Sequence, residues 1–245
     1  MQQKFFSKVK KMRNSKLTQP HTSEHGSAMV VILVAVALFV AIAFTFTRTT
    51  GNSSNSVMTL GQAKLEANQV INYATSIERS VARLLTRGCS ESDISFENDV
   101  VSGYEHTPAA EDRCKVFHPD GGNMTWRSPE NNINDGSEWI FVSTANIQDL
   151  GIAGGELMMI LPNVSREMCM AVNTEVNVPL TDGEPPQDLA VGYTNVKFTG
   201  TFSSSYQIRD TSGDKNLDGK QTACFEGGGT PNTGTYHFYH AVLVR

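Results

Sequence analysis

Apolar and polar positions divide the chain into three stretches with different periods. From Ala28 to Phe44 every residue is apolar (AMVVILVAVALFVAIAF), and no charge appears until Arg48. As a helix, residues 28–47 extend about 30 Å, the thickness of a bilayer core. The next stretch, 49–56 (TTGNSSNS), is poor in helix formers and interrupts the pattern. From Val57 to Thr86 the apolar residues return as Val57, Leu60, Ala63, Ala67, Val70, Ile71, Ala74, Ile77, Val81, Leu84 and Leu85. Steps of three and four predict an amphipathic helix. Gln62, Glu66, Gln69, Ser76, Arg79 and Arg83 fall on the opposite stripe, and Gly88 follows as a helix stop with Arg87 at the negative end. The small alanines in the stripe, and the lack of a strict heptad, favour docking onto a sheet over a stalk or coiled coil.

Beyond Gly88 the period shortens, and Gly, Asn, Asp, Ser and Pro become frequent. Strands are predicted at Lys115–Phe117, Glu138–Ser143, Glu156–Leu161, Asn195–Phe202, Thr222–Phe225 and Tyr236–Val244. A short helix is predicted from Arg166 to Asn173, capped by Ser165. Thr181–Asp188 (TDGEPPQD) and Gly227–Gly234 (GGGTPNTG) read as exposed loops, the places where a rigid scaffold carries recognition. The expected fold class is α+β: a long N-terminal helix, half membrane-spanning and half amphipathic, packed on a β-rich globular domain.

Composition sharpens the division. Of the 245 residues, 39% are hydrophobic and 18% charged, which excludes a disordered chain. The net charge of −5 conceals a split: Lys4, Lys8, Lys10, Lys11, Arg13 and Lys16 precede the apolar run, whereas the rest of the chain is acidic. An acidic ectodomain argues against nucleic acid as a partner. The basic flank puts 1–26 in the cytoplasm and everything after the run outside. The expected organisation is a leader at 1–26, a transmembrane segment at 27–47, an amphipathic helix or stalk at 48–88 and a periplasmic or extracellular β-rich domain at 89–245. Three fates of the start remain open: an uncut single-pass anchor, a secretory signal cut after Ala43, or a cut after Gly26 that leaves the run in the mature protein.

The third fate carries a family resemblance. The residues His25-Gly26-Ser27-Ala28-Met29-Val30-Val31-Ile32-Leu33 close a basic leader with Gly and open an uncharged helix. With the amphipathic helix and β-rich domain that follow, this resembles the type IV pilin and type II secretion pseudopilin superfamily. The resemblance implies a pilin-like fold, cleavage between Gly26 and Ser27 by a prepilin peptidase, methylation of the new N-terminus, and assembly with other pilin or pseudopilin subunits from the inner membrane. Major pilins carry Phe or Met first and Glu fifth after the cut. Here those positions are Ser27 and Val31, so the chain resembles minor, initiating or tip subunits, some of which also lack the acid. An intramembrane acid is retained for a partner, and this chain cannot make that contact.

Cys89, Cys114, Cys169 and Cys224 all follow the apolar run, an even number that fits two disulfides in an oxidising compartment. Three pairings are possible, and linkage of nearest neighbours favours Cys89–Cys114 with Cys169–Cys224. The second would close a C-terminal loop similar to the disulfide-bounded region of many pilins. No C-x-x-C spacing supports a metal reading of these residues.

One loop does have metal-ligand spacing. Asp214-Lys215-Asn216-Leu217-Asp218-Gly219 matches the first half of a calcium loop, with three oxygen donors at alternate positions and a Gly for the turn. The carbonyl of Lys220 would be the next ligand. The residue at the closing position of an EF-hand is Phe225, so calcium would sit in a non-helical loop closed by Glu226 or by Asp210. The resemblance adds that calcium occurs in pseudopilin ectodomains. The competing reading is a solvated Asx-rich turn.

Other chemistry is thin. His21-Thr22-Ser23-Glu24-His25 matches H-x-x-E-H, but Pro20 and the adjoining apolar run deny it the stable helix that metalloprotease chemistry needs. No nucleophile elbow, Walker loop or dinucleotide fingerprint occurs. His240, Trp126, Trp139 and Phe141 read as core residues rather than as ligands or a sugar platform. The expectation is therefore a non-enzymatic minor pilin or pseudopilin-like subunit. The alternative is a membrane-anchored or secreted periplasmic ligand-binding domain that joins no filament.

Overall fold

The computed structural model describes residues 30–38 and 59–245, apart from 153, 189, 190 and 212. The chain separates into two units, Met1–Ser56 and Val57–Arg245. In the first, residues 30–38 form a helical segment, α1, whose apolar side chains are all exposed. The remainder of the expected membrane segment 27–47, and the cleavage residues Gly26 and Ser27, lie outside the described residues. Among the described residues no helix is long and apolar enough to cross a membrane.

The second unit begins with α2, Leu60–Thr86. Thr59 caps it reciprocally: its hydroxyl accepts from the Gln62 amide, and the Gln62 side chain accepts from the Thr59 amide. The other end closes on Gly88 at φ +92°, where the Gly88 amide reaches the Leu85 carbonyl and the Cys89 amide reaches Leu84. That pair of bonds is a Schellman stop, and the left-handed Gly makes it possible. At 27 residues the helix is about 40 Å long.

A four-stranded antiparallel sheet follows, in the order β1 (Ile140–Val142), β3 (Leu157–Val164), β6 (Tyr236–Leu243) and β5 (Thr222–Glu226). Helix α3, Arg166–Glu175, leaves the end of β3, with the Ser165 hydroxyl accepting from the Met168 amide. Both α2 and α3 cover one face of the sheet. Alternate residues Phe141, Leu157, Met159, Leu161, Cys224, Phe238 and Val242 point into that layer. Their neighbours Val142, Met158, Ile160, Ala223, Phe225, Tyr239 and Ala241 form a second core on the other face. Burial on both faces explains why β3 reads from Leu157 to Pro162 as an unbroken apolar run rather than an alternating one. The result is an α+β fold.

The second core is closed by a short parallel pair that the sequence pattern did not predict, β2 (Ala145–Ile147) with β4 (Tyr206–Ile208). Two predicted strands are absent as such. Lys115–Phe117 contributes only a single bridge from Lys115 to Ser95. Asn195–Phe202 runs along the β1 edge with isolated bonds, such as the Phe198 amide to the Phe141 carbonyl at 2.8 Å. Gly200 at φ +91° breaks its extended path, while buried Phe198 packs against Phe96 and Phe202. Trp139 and Phe141 are buried as expected; Trp126 is half-buried against Phe117. Between β2 and β3 the chain passes tightly against Ser203. A Cβ on Gly155 would sit 2.0 Å from the Ser203 carbonyl oxygen, so only glycine fits.

Candidate functional site

The docked face of α2 is built from steps of four and three. Ala63, Ala67, Val70, Ala74, Ile77, Val81 and Leu84 are all buried against α3, β6 and the aromatic layer. The alanines let the backbones approach closely. One turn to the side runs a second, polar seam at intervals of seven, Glu66, Tyr73 and Ser80, all buried. It holds the 122–132 segment. Ser80 donates to the Gly122 carbonyl at 3.3 Å; Tyr73 donates to Thr125 and accepts from the Arg127 amide, both at 3.2 Å; Glu66 accepts from the Asn132 amide group. Glu66 therefore does not belong to the solvent stripe that its polarity suggested. Burial raises its pKa, against the Asn132 hydrogen bond.

The opposite margin of the helix is tied to the sheet by a chain of polar groups. Glu78 lies 3.1 Å from His240 Nε2 and accepts from Gln221 at 3.0 Å, and His240 Nδ1 lies 2.6 Å from the Thr222 hydroxyl. Burial lowers the pKa of His240 in spite of the Glu78 charge. The His240 side chain is packed, as predicted; Glu78 as its partner was not foreseen, because 162 residues separate them.

Both disulfides join nearest neighbours. Cys89–Cys114 spans 5.8 Å between Cα atoms and pins the segment after α2; Cys169–Cys224 spans 5.2 Å and joins α3 to β5. All four cysteines are buried, and none is free. Beside the second bridge Asn173 exchanges two 2.8 Å hydrogen bonds with the Cys224 backbone, so α3 is fixed to the sheet by covalent and polar contacts together.

The acidic loop brings some of its expected donors together. Leu217 is buried in the second core, which anchors the loop and divides its polar residues. Asp214 is exposed; the Asn216 amide donates to Asp210 Oδ2 at 3.0 Å, and its side chain donates to Thr181 at 3.1 Å. Asp218 Oδ1 is buried without a hydrogen-bond partner. Burial, together with the negative charges of Asp149 and Asp210, raises the Asp218 pKa. The Lys220 carbonyl accepts from the Tyr239 hydroxyl at 3.0 Å. Of the two closing acids considered, Asp210 lies against the loop, whereas Glu226 ends β5 and accepts from the Gly234 amide at 2.9 Å. Among the described residues no three His, Cys, Asp or Glu side chains converge as a metal site. Asp149 was missed because its approach depends on the chain folding back through β2.

A strongly perturbed carboxyl is Glu156. Its side chain is fully buried where the chain passes from β2 to β3, Oε2 accepts from the Ile147 amide at 2.9 Å, and Oε1 has no partner. Burial pushes its pKa up to about 7, against the pull of the Ile147 hydrogen bond and Arg245. No family model, curated protein or solved structure matches the chain.

Proposed function

We propose that the chain is a non-enzymatic minor pilin or pseudopilin-like subunit of a type IV pilus or type II secretion-type filament. It is held in the inner membrane by one N-terminal span, with its C-terminal domain on the periplasmic or outer side. The observation that carries this reading is the 27-residue helix whose apolar stripe is closed onto a disulfide-bonded antiparallel sheet, directly after a basic leader and an uncharged apolar run. The apolar side chains at 30–38 are exposed in the single chain, and such a surface needs lipid or the helices of other subunits around it. Prepilin peptidase and other filament subunits are the partners this reading names. Val31 in place of an acid suits a minor, initiating or tip position, since that subunit offers no carboxylate to a neighbour's amine.

The reading includes calcium in the 214–218 loop. The negative charges of Asp149 and Asp210 act on Asp218, and a divalent cation would relieve that repulsion. Asp210 rather than Glu226 is then the acid that completes the donor set.

The test is the N-terminus of the mature protein in a peptidase-proficient cell. A methylated start at Ser27, lost together with assembly in Gly26→Ala, is the expected result. A shortened, assembled Gly26→Ala protein would overturn the reading. A second reading, an anchored or secreted ligand-binding domain outside any filament, is favoured by a polar cavity beside the Gly227–Gly234 loop. It predicts a start at Phe44 or an intact Met1.

A further inference from the structure

That cavity has a volume of about 320 Å³, at the low end of the roughly 300–1,000 Å³ typical of ligand pockets. It opens where the end of β3, the segment 193–195 and the Gly227–Gly234 loop meet. Its lining contains no Asp, Glu, Lys or Arg. Two other cavities are charged, with Arg127 and Glu130 in one and Glu97, Asp99 and Lys115 in the other. A charged ligand would therefore enter this cavity without a counter-ion in its wall, at a high desolvation cost. A neutral ligand would not.

The wall is nevertheless rich in hydrogen-bonding groups. Asn163, Asn195 and Asn232 line it; the Asn163 side chain already donates to Asp135 at 2.9 Å and keeps its acceptor oxygen, while the other two amides offer donors and an acceptor. Thr194 also lines it, although its hydroxyl oxygen is closed off and without a partner. Pro162, Pro231 and the Tyr193 ring supply apolar surface. Amides and hydroxyls beside apolar rings match a ligand that carries hydroxyls on its edge and C–H groups on its face.

The floor is fixed in advance. The Asn163 amide, which can only donate, reaches His237 Nδ1 at 3.5 Å, and the Tyr193 hydroxyl lies 2.9 Å from the same nitrogen. Nδ1 is therefore the acceptor, and the proton sits on Nε2. Nε2 then donates to the Thr235 hydroxyl at 2.7 Å, which donates onward to the Asn232 carbonyl at 2.6 Å. His237 and Tyr193 are buried, and burial lowers the His237 pKa to about 4, so the floor stays neutral. The loop above is pinned as well: the Gly192 amide bonds the Thr230 carbonyl at 3.0 Å, and the Gly227 amide bonds Thr235 at 2.9 Å. A site held this firmly loses little freedom when it binds.

We propose that this cavity binds a single neutral saccharide unit, with Asn163, Asn195 and Asn232 meeting its hydroxyls. The inference stands whether or not the chain enters a filament, and it gives either reading a ligand class.

The test uses the full chain in an amine-oxide detergent, which has no sugar headgroup. Saturation-transfer NMR is recorded with glucose, galactose and N-acetylglucosamine up to about 50 mM, well above the ~1 mM Kd of a weak site. At least one should bind saturably. Asn195→Ala and Asn232→Ala should each weaken it by about 5- to 30-fold, the value of a hydrogen bond or two. Thr194→Val should keep or raise the melting temperature and leave binding unchanged, because it replaces an unpartnered buried hydroxyl, out of the ligand's reach, with a methyl of the same shape. Asn232 is exposed, so its variant reports binding even if the other fails to fold. Failure of all three sugars to bind, binding unchanged in Asn232→Ala, or glucuronate bound as tightly as glucose would overturn the proposal.

Discussion

Glu156→Gln should stabilise the protein in alkaline solution and do little in acid. Glu156 is fully buried, one carboxyl oxygen accepts from the Ile147 amide, and the other has no partner. Burial raises its pKa from the ordinary 4.5 to about 7 in the folded protein. The folded state thus holds this proton more tightly than the unfolded state does. Its contribution to stability is complete below about pH 4.5, declines as the unfolded carboxyl ionises first, and is lost by about pH 7. The full difference is worth about 3 kcal/mol, and about 1–2 kcal/mol once residual solvent screening near Arg245 is allowed for. Glutamine keeps the acceptor for Ile147 and puts an N–H where the acid would carry its proton, so it imitates the protonated form at every pH. Urea unfolding, followed by the fluorescence of Trp126 and Trp139, would measure both proteins at about pH 5 and about pH 8. The gap between variant and parent should widen by about 1–2 kcal/mol in favour of Gln at the higher pH. A gap independent of pH, or a variant less stable at pH ~8, would show that the carboxyl is already ionised and solvated there.

Changing Cys169 and Cys224 together to Ser should cost about 2–4 kcal/mol, seen as a lower urea midpoint, because the bridge closes a separation of 55 residues between α3 and β5. Ile77→Ala, at the centre of the docked stripe with a fully buried side chain, should cost about 2–5 kcal/mol, whereas Arg79→Ala on the exposed face should stay within about 0.5 kcal/mol. Calcium should raise the melting temperature relative to chelator, and Asp214→Asn with Asp218→Asn should abolish that rise. An absent rise in the parent protein would leave the loop an Asx-rich turn.

Local sequence fixed what depends on neighbours in the chain. The predicted helix 57–86 and the observed Leu60–Thr86 share their end, because Gly88 alone can take the left-handed stop; the start moved to the Thr59 cap. Ser165 opened α3 where expected, and the predicted runs at 138–143, 156–161, 222–225 and 236–244 contain or overlap β1, β3, β5 and β6. Each is a continuous apolar or alternating segment whose period is visible without its partner. Which partner it takes is a different matter. Residues 195–202 have the composition of a strand, but a ladder needs a free edge in register, and Gly200 at φ +91° interrupts the extended path beside β1. β2 and β4 are three residues each, too short to show a period, and they exist because the second core needed a cover. Only the tertiary structure chose among the three disulfide pairings. It alone also buried Glu66 and Glu156, set Glu78 on His240, brought Asp149 and Asp210 to Asp218 and assembled the neutral cavity around Thr194. The physical reason is common to all of them. Burial, desolvation and hydrogen-bond partnership belong to groups that meet across long loops, and residue type constrains what such a meeting costs without specifying where it occurs.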